Sequence, residues 1–314
     1  MTQLVLGTGA NGFVGRAVCE RLHAQGVPFV AATRTPQTVC ERASVAVGPV
    51  CKNTTWSQAL EGCASVIHLA ARVHVMRDSE QNPLQACRQV NVDGTLALAQ
   101  QAVRAGVRRF VFVSSIKVNG EHTLPGHPFR ADDTAAPTDA YASSKYEAEQ
   151  ELFELGRQTG LEVVVVRPPL VYGFGAKANF GQLMRWVALG RHLPLGAITH
   201  NRRSLIGVDN LADLLLRCVV HPAAAGRVFL ASDAQDVSTA ELVQRIGLAL
   251  NRPSRLLRVP VPLLEALARL TGRKAFMQRL SSSLQLDITD TQSALDWQPP
   301  LTLDEGLRRA ATAA

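Results

Sequence analysis

Tyr141 and Lys145 stand four residues apart in the stretch YASSK, a spacing that puts a phenol and an ammonium on one face of a helix. Such a pair can move a proton on and off a substrate oxygen. A free phenol ionises near pH 10, about three units, or about 4 kcal/mol, from easy exchange at neutral pH. A neighbouring cation favours the phenolate and narrows that gap. Ser115, at the end of a strand expected over residues 110–114, offers a hydroxyl that can hold the reacting oxygen while the proton moves. Ser115, Tyr141 and Lys145 are the candidate catalytic residues. Tyrosine and lysine at this spacing are common on helix surfaces, so the pair gains meaning only from the elements that position it.

The first 170 residues alternate short β-branched runs with helical patterns, which predicts β-α-β units and a parallel sheet. Strands are expected at residues 4–6, 29–33, 45–47, 66–69, 110–114 and 163–166. Runs such as VVVV at 163–166 are too apolar for a one-sided sheet and call for helices on both faces. Val14, Ala17, Val18 and Leu22 make one apolar helical stripe that Gly26 closes; Val92, Leu96, Ala99 and Val103 make another, closed by Gly106. Beyond residue 172 glycines and prolines break the chain into shorter pieces, with helices expected around 180–190, 209–220, 238–250 and 261–271. The expected fold is α/β: a doubly wound parallel Rossmann sheet over residues 1–172 and a smaller C-terminal α/β substrate-binding lobe over 173–314, with strands and helices of the latter free to cross back.

Between the first strand and first helix lies GTGANGFVG, with Gly9, Gly12 and Gly15 at G-x-x-G-x-x-G spacing. The first glycine permits a sharp turn, the second lets a pyrophosphate approach the backbone, and the third lets helix and strand pack closely. The helix N-terminus then aims free N–H groups at the phosphates. This is a dinucleotide site. NAD-binding folds usually end the second strand on an acid that holds the ribose hydroxyls. Here Ala31-Ala32-Thr33-Arg34 has none, and Arg34 can pair with a 2'-phosphate, so NADP(H) is favoured, with NAD(H) as the alternative.

Composition narrows the field without deciding it. The net charge of +7 comes from basic residues spread along the chain in runs no longer than two, so no nucleic-acid arm is expected, and a modest positive excess suits anionic substrates as well as it suits an ordinary solvated surface. The six cysteines form no C-x-x-C pair and have no histidine at ligand spacing, which predicts free thiols in a reducing compartment and no metal site. No apolar stretch reaches membrane-span length and no signal peptide is visible, so a cytoplasmic protein is expected.

With these motifs in order, the chain resembles the extended short-chain dehydrogenases, more narrowly the NAD-dependent epimerase/dehydratase family acting on nucleotide sugars. The resemblance covers nearly the whole chain and rests on GANGFVG, VIHLAA extending to HLAARVHVM, NVDGT, FVSSIKVNG, YASSK, RPPLVYG and RRSLIGVDNLADL. It implies catalysis by Ser115, Tyr141 and Lys145. It implies that Asn11, Phe13, Val14, Leu69, Ala70, Ala71, Asn91 and Pro168 join the three glycines, Arg34 and Lys145 around the cofactor. It also implies that Asn179 in KANF and Arg203 meet the substrate diphosphate. The family's further diphosphate arginine falls where this chain reads RLSSSLQLD, which leaves Arg279 as the candidate. Two departures are plain: alanine follows Tyr141 where glycine is usual, and Val47-Gly48-Pro49-Val50 lacks the aspartate that commonly contacts adenine. The family also implies a UDP-sugar substrate and a homodimer through two long helices of the first lobe.

The 4,6-dehydratases of the family carry an Asp-Glu pair after the catalytic hydroxyl; Ile116-Lys117 stands here, which argues against dehydration. Lys117 is instead a candidate to bond sugar hydroxyls or serve as a second acid. Two reactions at C4 remain, epimerisation of a UDP-hexose and reduction of a UDP-4-keto-6-deoxyhexosamine for surface polysaccharide. An epimerase regenerates its own cofactor and usually retains NAD, whereas a reductase consumes NADPH, so Arg34 favours reduction. A third reading is an NADP(H)-binding protein without catalysis, a class that generally loses the tyrosine or lysine retained here. Arg34→Ala should weaken NADPH binding by about 1.5–3 kcal/mol and NADH binding far less. Fluorescence titration with each cofactor measures both, and equal losses would show that Arg34 does not read the 2'-phosphate.

Overall fold

The computed structural model describes residues 3–73, 82–124, 126–176 and 178–312. Residues 74–76 of the HLAARVHVM stretch and Lys177 of KANF lie outside them. Seven parallel strands form the central sheet: β1 (Leu4–Thr8), β2 (Phe29–Thr33), β3 (Val45–Ala46), β4 (Cys63–His68), β5 (Arg109–Val113), β6 (Glu162–Arg167) and β7 (Arg227–Leu230), in the order β7-β6-β5-β4-β1-β2-β3. The order reverses about β1, which makes the sheet doubly wound.

The apolar strands are covered on both faces, as their composition requires. Val5, Ile67, Val111, Val164 and Val166 point to one side, against Val18 and Leu22 of α1 (Phe13–Ala24) and Leu211 and Leu215 of α5 (Val208–Val220). Leu6, Val66, Phe110, Phe112, Val163 and Val165 point to the other, against Leu98 and Ala102 of α2 (Gly94–Arg104) and Ala148 and Leu152 of α3 (Ala140–Thr159). Full burial of each such side chain contributes about 1.5–3 kcal/mol. A separate core of Phe180, Met184, Leu193, Ile198, Val243 and Leu307 holds the second lobe, which contains α4 (Ala178–Ala188), α6 (Thr239–Ala249), α7 (Val261–Leu270) and α8 (Lys274–Ser281).

The six expected strands all form, within a few residues of their expected ends. The seventh was not expected. β7 is only RVFL, set among the glycines and prolines beyond residue 172, and it pairs with β6 from the far side of that boundary. α5 crosses in the same way to pack on α1. The helix expected over 91–105 begins as a π-helical turn, Gln89–Asp93, before the α-helical ladder of α2 sets in at Gly94.

The glycine turn is dictated by contact. A Cβ on Gly15 would stand 2.1 Å from the Gly9 carbonyl oxygen and 2.8 Å from Ala10 Cα, both backbone atoms. Gly9 itself has a φ of +63°. Gly15→Ala should therefore cost about 1–3 kcal/mol in urea denaturation and abolish dinucleotide binding. Gly26→Ala, left-handed but in open space, should cost about 1 kcal/mol and leave binding intact. Equal binding by both variants would disprove this account of the turn.

Candidate active site

The carboxyl ends of β1, β4, β5 and β6 bring the glycine turn, Leu69 to Ala71, Ser115 and Pro168 to one edge of the sheet, where ligands of open parallel sheets bind. The N-cap of α1 is Gly12, which has no side chain to cap the first turn, and that turn holds no acid. Its free N–H groups and positive end suit a pyrophosphate. Asn11 is exposed in the same turn, and Phe13 and Val14 are half-buried in the first turn of α1.

The segment facing this turn is fixed by a histidine that sequence reading passed over. Thr8 Oγ1 accepts from the amides of Leu69 (3.1 Å) and Ala70 (3.2 Å), so its proton is directed to His68 Nδ1, 2.8 Å away. That assigns the ring proton to Nε2, which lies 3.0 Å from Thr95 Oγ1. Burial, helped by the charge of Lys145, pushes His68 down to about 3, so the ring stays neutral. VIHLAA carried the signal, but only the threonine partners explain it.

Asp139 caps the catalytic helix α3 by accepting from the Ala142 amide at 2.7 Å. Its other oxygen takes the ammonium of Lys117 at 2.6 Å, and Glu121 takes it at 3.2 Å. Lys117 is thus engaged by two carboxylates as a brace for the start of α3, and the roles of second acid and sugar ligand expected for it are not supported. Asn91, fully buried in the π-turn, accepts from the Arg72 amide (2.8 Å) and donates to the Arg72 carbonyl (3.0 Å) and Ser144 Oγ (3.0 Å). Ser144 donates in turn to the Tyr141 carbonyl at 2.8 Å. The wide turn lets one amide brace the cofactor edge and the catalytic helix together.

The Ser115 hydroxyl is near enough to the phenol of Tyr141 to favour its ionisation. Lys145, fully buried, donates to the Val113 carbonyl at 2.8 Å with its ammonium 4.3 Å from the centre of the Phe112 ring. Burial pushes Lys145 down to about 7, opposed by Glu149 one helical turn on. Glu149 is itself buried in a two-pronged pair with Arg167, whose third nitrogen donates to Asn119 Oδ1 at 2.9 Å. Neither partner was singled out from the sequence. Burial, then Asp139 and Cys87, push Tyr141 up, while the Ser115 hydroxyl opposes them. Desolvation of the phenolate thus dominates in the protein alone. A bound oxidised nicotinamide supplies a hydride acceptor and a positive charge beside the phenol.

Arg34 is exposed just past β2, and its guanidinium has no partner among the described residues. In the second lobe Arg203 Nη1 donates to the carbonyls of Arg279 (2.8 Å) and Ser282 (3.1 Å), so the structure brings these two candidate segments together. Asn179 is exposed on the first turn of α4. The six cysteines are free thiols, and among the described residues no cluster could hold a metal and no helix is long and apolar enough to cross a membrane.

A doubly wound sheet with a glycine-cradled helix end and a serine, tyrosine and lysine at its carboxyl edge defines a nicotinamide-dinucleotide oxidoreductase. Residues 5–231 match the NAD dependent epimerase/dehydratase family, and the chain belongs to that family, within the extended short-chain dehydrogenases. A relative from Vibrio cholerae named UDP-glucose 4-epimerase is 45% identical over 314 residues, covering 100% of this chain and 96% of that one. The fold is that of UDP-glucose 4-epimerase from Thermotoga maritima solved with UDP-glucose (TM-score 0.77, 20% identity, 99% and 98% of the two chains). It is also that of RMD from Pseudomonas aeruginosa complexed with NADPH (TM-score 0.75, 22% identity, 99% of each chain).

The buried lysine gives a pH signature. In the folded chain Lys145 titrates near 7, and unfolded near 10.4. Between those values the unfolded chain holds a proton that the folded chain lacks, so stability rises with pH. Relative to Lys145→Met, the cofactor-free protein should gain on the order of 2 kcal/mol from pH 7 to 9 in urea denaturation. Parallel curves for the two proteins would mean that the amine is not desolvated.

Proposed function

We propose that the chain interconverts a hydroxyl and a ketone at C4 of a UDP-sugar, working as a UDP-hexose 4-epimerase on UDP-glucose or UDP-N-acetylglucosamine. The observation that carries the C4 chemistry is the convergence of Ser115, at the carboxyl end of β5, with Tyr141 and the buried Lys145 of α3, the Ser115 hydroxyl acting to ease ionisation of the phenol. Tyr141 takes the proton of the C4 hydroxyl and returns it after the keto sugar has turned over. Ser115 holds that oxygen in place through both transfers. Lys145, anchored on Val113, supplies positive charge under the site. The epimerase assignment draws on the full-length likeness to the Vibrio cholerae protein.

Arg203, desolvated and held by two carbonyls, is a preset cation for the diphosphate, with Arg279 and Asn179 as further contacts. Gly9, Gly12 and Gly15 would hold the cofactor's pyrophosphate, with Leu69, Ala70, Ala71, Asn91 and Pro168 as further contacts.

Arg34 supports a second reading. An exposed arginine without a partner at the end of β2 suits NADPH, and a consumed NADPH suits reduction of a UDP-4-keto-6-deoxyhexosamine. Two assays separate the readings. The purified protein should convert UDP-glucose or UDP-N-acetylglucosamine to its C4 epimer without added reductant. Loss of NADPH absorbance with a UDP-4-keto-6-deoxyhexosamine, and no epimer from either hexose, would replace epimerase by reductase. In whichever reaction is found, Tyr141→Phe should lower kcat by about 10²–10⁴ while cofactor binding stays near normal.

A further inference from the structure

Helix α7 is apolar on two sides. Val261, Leu264 and Ala268 pack on the core of the second lobe. The opposite side carries Leu263, Leu267 and Leu270, spaced at i, i+4 and i+7 and exposed by 59%, 57% and 86%. A helix side turned to water ordinarily carries charge, and three large apolar side chains in line on one such stripe mark a contact surface. Phe276 of α8 adds to it at 38% exposure.

Cations surround this stripe. Arg258 precedes α7, Arg269 sits in its last turn, and Arg273 and Lys274 connect it to α8; all four are exposed. None forms an ion pair among the described residues, whereas exposed arginines elsewhere do, as in Arg88–Glu147, Arg157–Glu154 and Arg309–Asp209. The basic residues, dispersed as they are along the whole sequence, concentrate here. Between residues 252 and 280 seven arginines and lysines stand against one acid, the half-buried Glu265, so this corner carries most of the chain's +7.

We propose that the α7–α8 hairpin docks the enzyme on an anionic phospholipid surface. Helix α7 lies in the interfacial plane, with Leu263, Leu267 and Leu270 at the acyl boundary and the four cations at headgroup phosphates. Charge selects this occupant over a second copy of the chain. A two-fold contact through the same stripe would bring the unpaired cations of both copies together, whereas lipid phosphates neutralise them. The surface is independent of which C4 reaction the site performs.

Co-sedimentation of the full chain with vesicles of phosphatidylcholine and phosphatidylglycerol, or of phosphatidylcholine alone, tests this. Binding is expected only to the mixed vesicles, weakening as salt rises. The Arg273→Glu/Lys274→Glu and Leu267→Ser/Leu270→Ser double variants should each lower partitioning by more than about tenfold while keeping wild-type turnover in solution. The two variants alter different chemistry, so a folding failure of one leaves the other as the test. Failure of the wild-type chain to bind mixed vesicles, or equal binding to both kinds, would overturn the proposal. So would light scattering in which the leucine variant is a smaller oligomer than wild type, since the stripe would then be covered by a second copy.

Discussion

The site is organised around a buried cation. Lys145 enters the protein between α3 and the carboxyl end of β5, where water is excluded and the Val113 carbonyl accepts its hydrogen bond. An isolated ammonium in such a place loses several kcal/mol of hydration, so its neighbours are constrained to compensate. The Phe112 ring face lies under it, and Glu149 stands one turn along the same helix. Glu149 could not be buried alone either, and Arg167 on the adjacent strand holds it with two nitrogens, its third being held by Asn119. His68 is kept neutral by the same desolvation and by the same lysine. The buried amine of Lys145 thus rests on a chain of obligatory pairs running from YASSK through RPPLVYG to SIKVNG.

That chain marks what the sequence could and could not disclose. Periodicity reveals which face of a strand or helix is apolar, and the six strands and the stripes of α1 and α2 followed from it. Tyr141, Lys145 and Ser115 stood out as candidates because a strand end and a helix follow the glycine turn in a meaningful order, not because the tyrosine-lysine spacing is itself unusual. Glu149 and Arg167 read as ordinary charges on a helix and at a strand end, since pairing across eighteen residues and two elements leaves no local pattern. The π-turn at Gln89–Asp93 was equally hidden. Its composition suits a normal helix, and it is the demand of Asn91 to reach Arg72 and Ser144 at once that accompanies the wide turn. β7 escaped because RVFL lies beyond residue 172, where glycines and prolines interrupt the β-α alternation that marked the other strands.

Lys117 shows the limit from the other side. A lysine two positions after the catalytic serine invites a chemical role, yet its ammonium lies on Asp139, the residue that caps α3. Position in sequence near a reacting group is weaker evidence than the partner the side chain meets. The brace is nevertheless close to function, because α3 carries both Tyr141 and Lys145, and a frayed first turn would displace Tyr141 before anything else.

The stretch RLSSSLQLD, where this chain departs from its family, carries more than a substitute arginine. Ser283 and Gln285 accept from the amides of Thr123 and Phe129, and Asp287 donates back to Phe129. These partners lie in the loop that follows Ser115. On its other edge Leu284 exchanges hydrogen bonds with Arg202 and Ser204, on either side of Arg203. One extended segment therefore ties the loop of the reacting hydroxyl to the arginine proposed for the diphosphate. Loss of that tie would free the loop after Ser115 from the strand edge that holds Arg203 without altering either side chain.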